Sequence, residues 1–159
     1  MTPKQKKYII ENLKWPINFD YLFKYIILAI PATLIFIGIT PYETDDFSIN
    51  LIIIGIITIM ILAYRIKSGR RFKIFLLPAG LSTNELAVKL KTLNWRVYQN
   101  DNVLEISTAI SPFSWGNKIT IVKVTTDKIL INTQPVGKAP VTLFMDILNY
   151  KKIQNLLKS

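Results

Sequence analysis

The chain has 159 residues, half of them hydrophobic, with 20 Lys and Arg against 10 Asp and Glu, a net charge of +10, and neither cysteine nor histidine. Without imidazole or thiol there is no Ser-His-Asp or Cys-His nucleophile system, no ordinary structural zinc site and no disulfide framework. Most familiar small-enzyme mechanisms are thereby excluded, and no cofactor is expected.

In chain order, residues 1–20 carry Lys4, Lys6, Lys7 and Lys14 against Glu11 and Asp20, with Tyr8, Ile9, Ile10, Leu13 and Trp15 offering apolar contact. This reads as an amphipathic segment on a membrane surface, on the cytoplasmic side. From Tyr21 to Ile39 the sequence is apolar except for Lys24, and Phe47–Tyr64 contains no acid or base. Each stretch, as a helix, reaches about 27–29 Å, close to the ~30 Å of bilayer hydrocarbon. With only residues 40–46 between them, the two form an antiparallel transmembrane hairpin. Lys24 lies within a turn of the span's end and can snorkel outward. No small-x-small pattern follows the first span, so it reads as retained and not as a cleaved leader. Pro31 lacks an amide hydrogen, which leaves the Ile27 carbonyl without its helical partner and predicts a kink. Gly38 and Gly55 are single, with no G-x-x-x-G spacing to mark a pairing seam.

Glu43, Asp45 and Asp46 occupy the connecting loop, whereas Arg65, Lys67, Arg70, Arg71 and Lys73 follow the second span. That asymmetry places both termini in the cytoplasm and the 40–46 loop outside. The 65–81 segment reads as a basic juxtamembrane linker, and Trp15, Arg65, Lys67, Arg70, Arg71 and Lys73 are the candidate membrane-surface contacts. Since topology already accounts for much of the basicity, the charge does not point to nucleic acid.

Residues 82–159 form a cytoplasmic α+β module. Ser82-Thr83-Asn84-Glu85 fits a capping box, opening a helix to about Leu93 that sets Leu86, Leu90 and Leu93 on one stripe. Strands are predicted at 95–99, 103–108, 118–125 and 128–132, the first two joined by a turn at Asn100-Asp101-Asn102. PVTLFMD (140–146) reads either as a fifth strand or as the start of a helix; the alternation of Val141, Leu143 and Met145 with Thr142 and Phe144 favours the strand, followed by a final helix capped by Asn149 and carrying Ile153, Leu156 and Leu157. The fold class is thus a two-helix transmembrane hairpin plus a small antiparallel sheet of about five strands covered by two helices.

The glycines make neither G-x-x-x-x-G-K-[ST] nor G-x-G-x-x-G. Glu85, Asp101, Glu105 and Asp127 have structural explanations in caps, turns and a polar strand face. The loop Ser111–Asn117 (SPFSWGN) sets two large aromatics beside a basic strand: Phe113 and Trp115 either pack back onto the sheet, the more ordinary outcome, or form a contact surface, in which case Phe113, Trp115 and Asn117 are the candidate partner contacts.

The hairpin followed by WGNKITIV, KILIN, a Pro-containing loop and NYKKIQNLL resembles small two-span bacterial membrane proteins of uncharacterised function, rich in Ile, Lys and Asn. Its layout is also similar to that of membrane proteins with a pleckstrin-homology-like module, from which it departs in strand number and in the helix at 82–93. These resemblances imply a bacterial inner membrane and carry over no catalytic residue. The expectation is a non-enzymatic accessory or adaptor protein that contacts membrane lipids and binds a protein partner or a second copy of itself. An immunity protein that blocks a toxin at the membrane and a sensor of anionic headgroups are the alternatives.

Overall fold

The computed structural model describes residues 1–40, 46–78, 80–100, 102–109, 116–136 and 144–158, with Asp46 and Phe47 described by their backbone alone. The chain divides into two compact units. One comprises residues 1–16 and 69–159, the other residues 17–68. The N-terminal segment thus belongs with the sheet and not with the helices that follow it.

In the 17–68 unit, α2 (Phe19–Phe23) runs into a 3-10 turn (Lys24–Leu28) and then α3 (Ala29–Ile39), and the return helix is α4 (Asp46–Ser68). Phe19–Ile39 and Ser48–Ser68 are each long and apolar enough to cross a membrane. The predicted disturbance at Pro31 takes the form of that 3-10 stretch. Pro31 has no amide to hold the Ile27 carbonyl in the α-helical pattern, and the Ala29 amide instead donates to the Ile26 and Ile27 carbonyls at the end of the 3-10 stretch.

A seam between the two helices does exist, although neither glycine belongs to a G-x-x-x-G. A Cβ on Gly38 would lie 2.7 Å from the Ser48 carbonyl oxygen, and one on Gly55 would lie 2.5 Å from Ile35 Cγ1 and 2.9 Å from the Pro31 carbonyl oxygen. One glycine from each helix therefore lets the opposing backbone approach.

The other unit is an open antiparallel sheet of five strands, ordered β1-β5-β4-β3-β2. Strands β2 (Arg96–Asn100), β3 (Val103–Ser107), β4 (Asn117–Lys123) and β5 (Lys128–Pro135) form a meander, and β1 (Lys73–Leu76) pairs with β5, Lys73 opposite Ile131. The four meander strands fall where alternation predicted them. The fifth does not: it is β1, inside the segment read as a linker, whereas Met145 and Asp146 begin α6 (Met145–Lys158) and Pro140–Leu143 lie outside the described residues. Asn149 is correspondingly a buried residue inside α6 and not the cap at its start. The helical period wins there because Tyr150, Ile153 and Leu157 at i, i+3 and i+7 all bury against the sheet.

One sheet face carries Leu104, Ile106, Ile119, Ile121, Ile129 and Ile131, all essentially without solvent contact, and meets α6 and α5 (Thr83–Lys91), whose Leu86, Ala87 and Leu90 complete the core. The capping box forms as expected: the Glu85 amide donates to Ser82 Oγ at 3.1 Å, and the Ser82 amide to Glu85 Oε2 at 2.7 Å. Among the described residues the opposite face is half covered. Ile9 of α1 (Pro3–Asn12) packs there with Phe72, Val122 and Leu130.

Candidate functional site

The side of the sheet that α1 covers also gathers the two segments that flank residues 17–68. Leu13 ends α1 in the left-handed region (φ 52°), turning the chain so that Lys14 bridges Arg71 in antiparallel fashion. The Trp15 amide donates to the Arg70 carbonyl at 3.0 Å, and the Phe72 amide donates to the Leu13 carbonyl at 2.8 Å. Arg70 returns the contact, its Nε donating to the Trp15 carbonyl at 3.0 Å and its Nη2 to the same oxygen.

Beneath this bridge lies the buried side chain of Asn132, in β5. Its Oδ1 accepts from the Trp15 indole Nε1 at 2.8 Å, and its Nδ2 donates to the carbonyls of Gly69 (2.9 Å) and Arg71 (2.8 Å). A carboxamide offers one oxygen and two N–H donors, and here each is used in a direction no other side chain of that size could satisfy. Trp15 also lies against Phe72, ring centroids 5.4 Å apart. The two chain segments that lead into the apolar helices are therefore fastened to one residue of the sheet.

On the core face, level with Asn132, the Tyr150 hydroxyl accepts from the Thr133 amide at 3.2 Å and lies 3.5 Å from the Ile131 carbonyl. Strand β1 ends its pairing at Ile131, so the phenol takes the place of the next strand residue. Phe75 stacks on its ring, and Lys73 Nζ lies 4.1 Å from the ring centroid. Burial pushes the phenol pKa up to about 12.

The remaining half of the outer face carries Arg96, Tyr98, Glu105 and Lys118. Tyr98 is 63% exposed, and Lys118 Nζ pairs with Glu105 Oε2 at 2.7 Å. Among the described residues β2 pairs only with β3, which leaves its other edge open.

The residues singled out from sequence scatter over these features. Trp15, Arg70 and Arg71 take part in the Asn132 clamp, Lys73 lies over Tyr150, and Arg65 and Lys67 are in the last turn of α4. Phe113 and Trp115 lie outside the described residues. Asn117 is fully buried, its amide donating to Thr108 Oγ1 at 2.8 Å, so it offers a partner no surface. Asn132, Tyr98 and Tyr150 carry no distinguishing mark in the sequence. An asparagine between Ile131 and Thr133 looks like any polar position of a strand, and only its partners, 61 to 117 residues away in sequence, set it apart. Among the described residues, no three or more His, Cys, Asp or Glu side chains are grouped to hold a metal ion.

No family model, curated protein or solved structure matches the chain. What bears on function is the geometry of the sheet and its clamp.

Proposed function

We propose that this protein is a non-enzymatic adaptor of a bacterial inner membrane. The two apolar helices cross the bilayer with both termini in the cytoplasm, and the sheet module binds a protein partner at the membrane surface. The topology rests on charge. Arg65 and Lys67 end α4, Lys14, Arg70 and Arg71 lie just outside residues 17–68, and the acids Glu43 and Asp45 precede Asp46, the first residue of α4, in the stretch that joins the two apolar segments.

The observation that carries partner binding is the unequal cover of the outer sheet face. Helix α1 seals the half around Val122 and Leu130, and the half around Tyr98 is exposed beside an edge strand that has no second neighbour among the described residues. An exposed tyrosine among Arg96, Glu105 and Lys118 has the amphipathic character of an interface anchor, and the β2 edge can accept an added strand. The Asn132 clamp supports the same reading, because it ties the sheet to the chain segments on either side of the apolar helices.

The test is a mild-detergent purification of the tagged full chain from its own membranes, compared with Tyr98→Ala and Arg96→Glu. A stoichiometric partner present with the parent chain and lost with both variants is the expected result. A stoichiometric partner retained undiminished by both overturns the assignment of this face, and a chain that purifies alone overturns the adaptor reading.

A further inference from the structure

Three large apolar side chains stand in solvent at the start of α6: Phe144 is 70% exposed, Ile147 52% and Leu148 48%. Ile147 and Leu148 belong to α6, and Phe144 immediately precedes it, its carbonyl accepting from the Ile147 and Leu148 amides; Lys151 follows Ile147 at i+4 and Leu148 at i+3, with Lys152 beside it, both exposed. The core-facing side of the same helix is already committed through Asn149, Tyr150, Ile153 and Leu157. The apolar stripe is a second, outward one.

Its place in the fold indicates what meets it. Tyr150 fixes α6 over residues 131–133 of β5, and Asn132, on the other face of that strand, holds Gly69, Arg71 and Trp15. Tyr150 therefore lies across β5 from the residue that holds the segments on either side of residues 17–68. At the other end of the sheet, where Leu76 pairs with Lys128, the exposed acid Asp127 closes a turn with Thr125 between Lys123 and Lys128. Lys14, Arg70 and Arg71 lie on the Asn132 side of the sheet, and Lys151 and Lys152 follow Tyr150 in α6.

We propose that the Phe144–Ile147–Leu148 face of α6 is a membrane-interface contact. Its apolar side chains enter the headgroup–acyl boundary, and Lys151 and Lys152 sit among anionic headgroups. The inference rests on the reading that the apolar helices span a bilayer. An apolar stripe bordered by lysines is the composition of a helix lying in that interface, and headgroup charge attracts cations near the surface. A second copy is disfavoured by charge: two such faces would bring four lysines together, in a chain with a net charge of +10. The contact makes lipid binding by the module depend on the anionic lipid content of the leaflet.

The absence of cysteine permits single nitroxide labels in the full chain at Ile147→Cys, at Val88→Cys on the exposed side of α5, and at Ile54→Cys in α4. Oxygen and nickel-chelate accessibilities are read with one chain per nanodisc of mixed phosphatidylcholine and phosphatidylglycerol. The expected result is an oxygen-to-nickel ratio several-fold higher at 147 than at 88. That excess should fall when Lys151→Gln and Lys152→Gln are combined, and also in phosphatidylcholine alone. A water-like label at 147 beside a dry label at 54 overturns the contact and leaves the spanning reading standing. A water-like label at 54 overturns both. Drying at 147 only when two chains share a disc, with spin–spin broadening, assigns the face to a second copy and overturns the lipid contact. Drying indifferent to the lysines and to lipid charge overturns the anionic recognition.

Discussion

The same side chain does opposite things in the two units. Ile119, Ile121 and Ile131 have at most 1% of their surface in solvent, whereas Ile30 and Ile39 in α3 are 66% exposed. Total hydropathy does not separate these cases. What separates them is period: in the sheet, apolar residues alternate with polar ones and have a single side to hide, and in α3 they cover the whole circumference, so that burying one face leaves the others out. An interior of protein satisfies the first arrangement. The second calls for an apolar solvent, which is the physical content of a membrane-crossing assignment.

The largest expected effect that tests this contrast is Ile121→Ala, which removes buried methyl groups from the sheet core and should destabilise that unit by about 2–5 kcal/mol. Ile30→Ala, at an exposed position, should change thermal stability in detergent by less than about 0.5 kcal/mol. Equal losses at the two sites, in parallel denaturation curves, would erase the distinction. Next comes Asn132→Leu, which retains volume but strands the Trp15 indole and two carbonyls, and should cost about 2 kcal/mol. Hydrogen exchange at the Trp15 and Phe72 amides should accelerate well before the sheet opens; protection equal to that of the parent chain would remove the clamp from the account.

Within the helical unit, Gly55→Leu should force α3 and α4 apart, with about 1–3 kcal/mol lost from their pairing. Ile56→Leu, one position on and exposed, is the control that should leave the pairing intact. Equal thermal midpoints in detergent for these two variants would remove the glycine seam. Ser82→Ala should lower stability by about 1 kcal/mol through the loss of the α5 cap, measured by denaturant titration of the sheet unit. The smallest effect concerns pH. Hydrogen bonds from Ser82 hold the Glu85 carboxyl below its ordinary value, and the Thr125 hydroxyl does the same for Asp127. A lowered folded pKa contributes stability above the unfolded value that is lost as pH falls through the folded one, so acid should weaken the module slightly. Acid curves of Glu85→Gln parallel to those of the parent would dismiss the Glu85 share.

What sequence can show follows from the range of each interaction. The Ser82 cap and the meander strands are legible because their signals are local: a hydroxyl three residues from an acid, or alternation over five residues. Strand β1 escapes notice because Lys73–Leu76 is only four residues long and turns Ile74 and Leu76 to solvent, so no alternation of apolar and polar residues marks it. The strand expected at 140–146 draws on alternation that continues through Phe144 and Met145, where helical burial of Tyr150 and Ile153 decides the outcome. Trp15 looks like an interfacial anchor because an aromatic beside an apolar run usually is one; its hydrogen bond to a residue in the last strand of the meander leaves no trace near it in the chain.

The path of the chain through the Asn132 clamp also fixes an order of assembly. Helix α1 leaves the ribosome before either apolar helix, yet the surface that receives Ile9, made of Phe72, Val122 and Leu130, is synthesised only after both have emerged. Its capping box, with the Gln5 amide on Thr2 Oγ1 and Gln5 Oε1 on the Thr2 amide, is local and can close at once. The docking cannot, since it joins positions more than a hundred residues apart, the slow and non-local kind of contact. A helix made early is therefore seated late, and until β5 arrives the surface that receives Ile9 is incomplete.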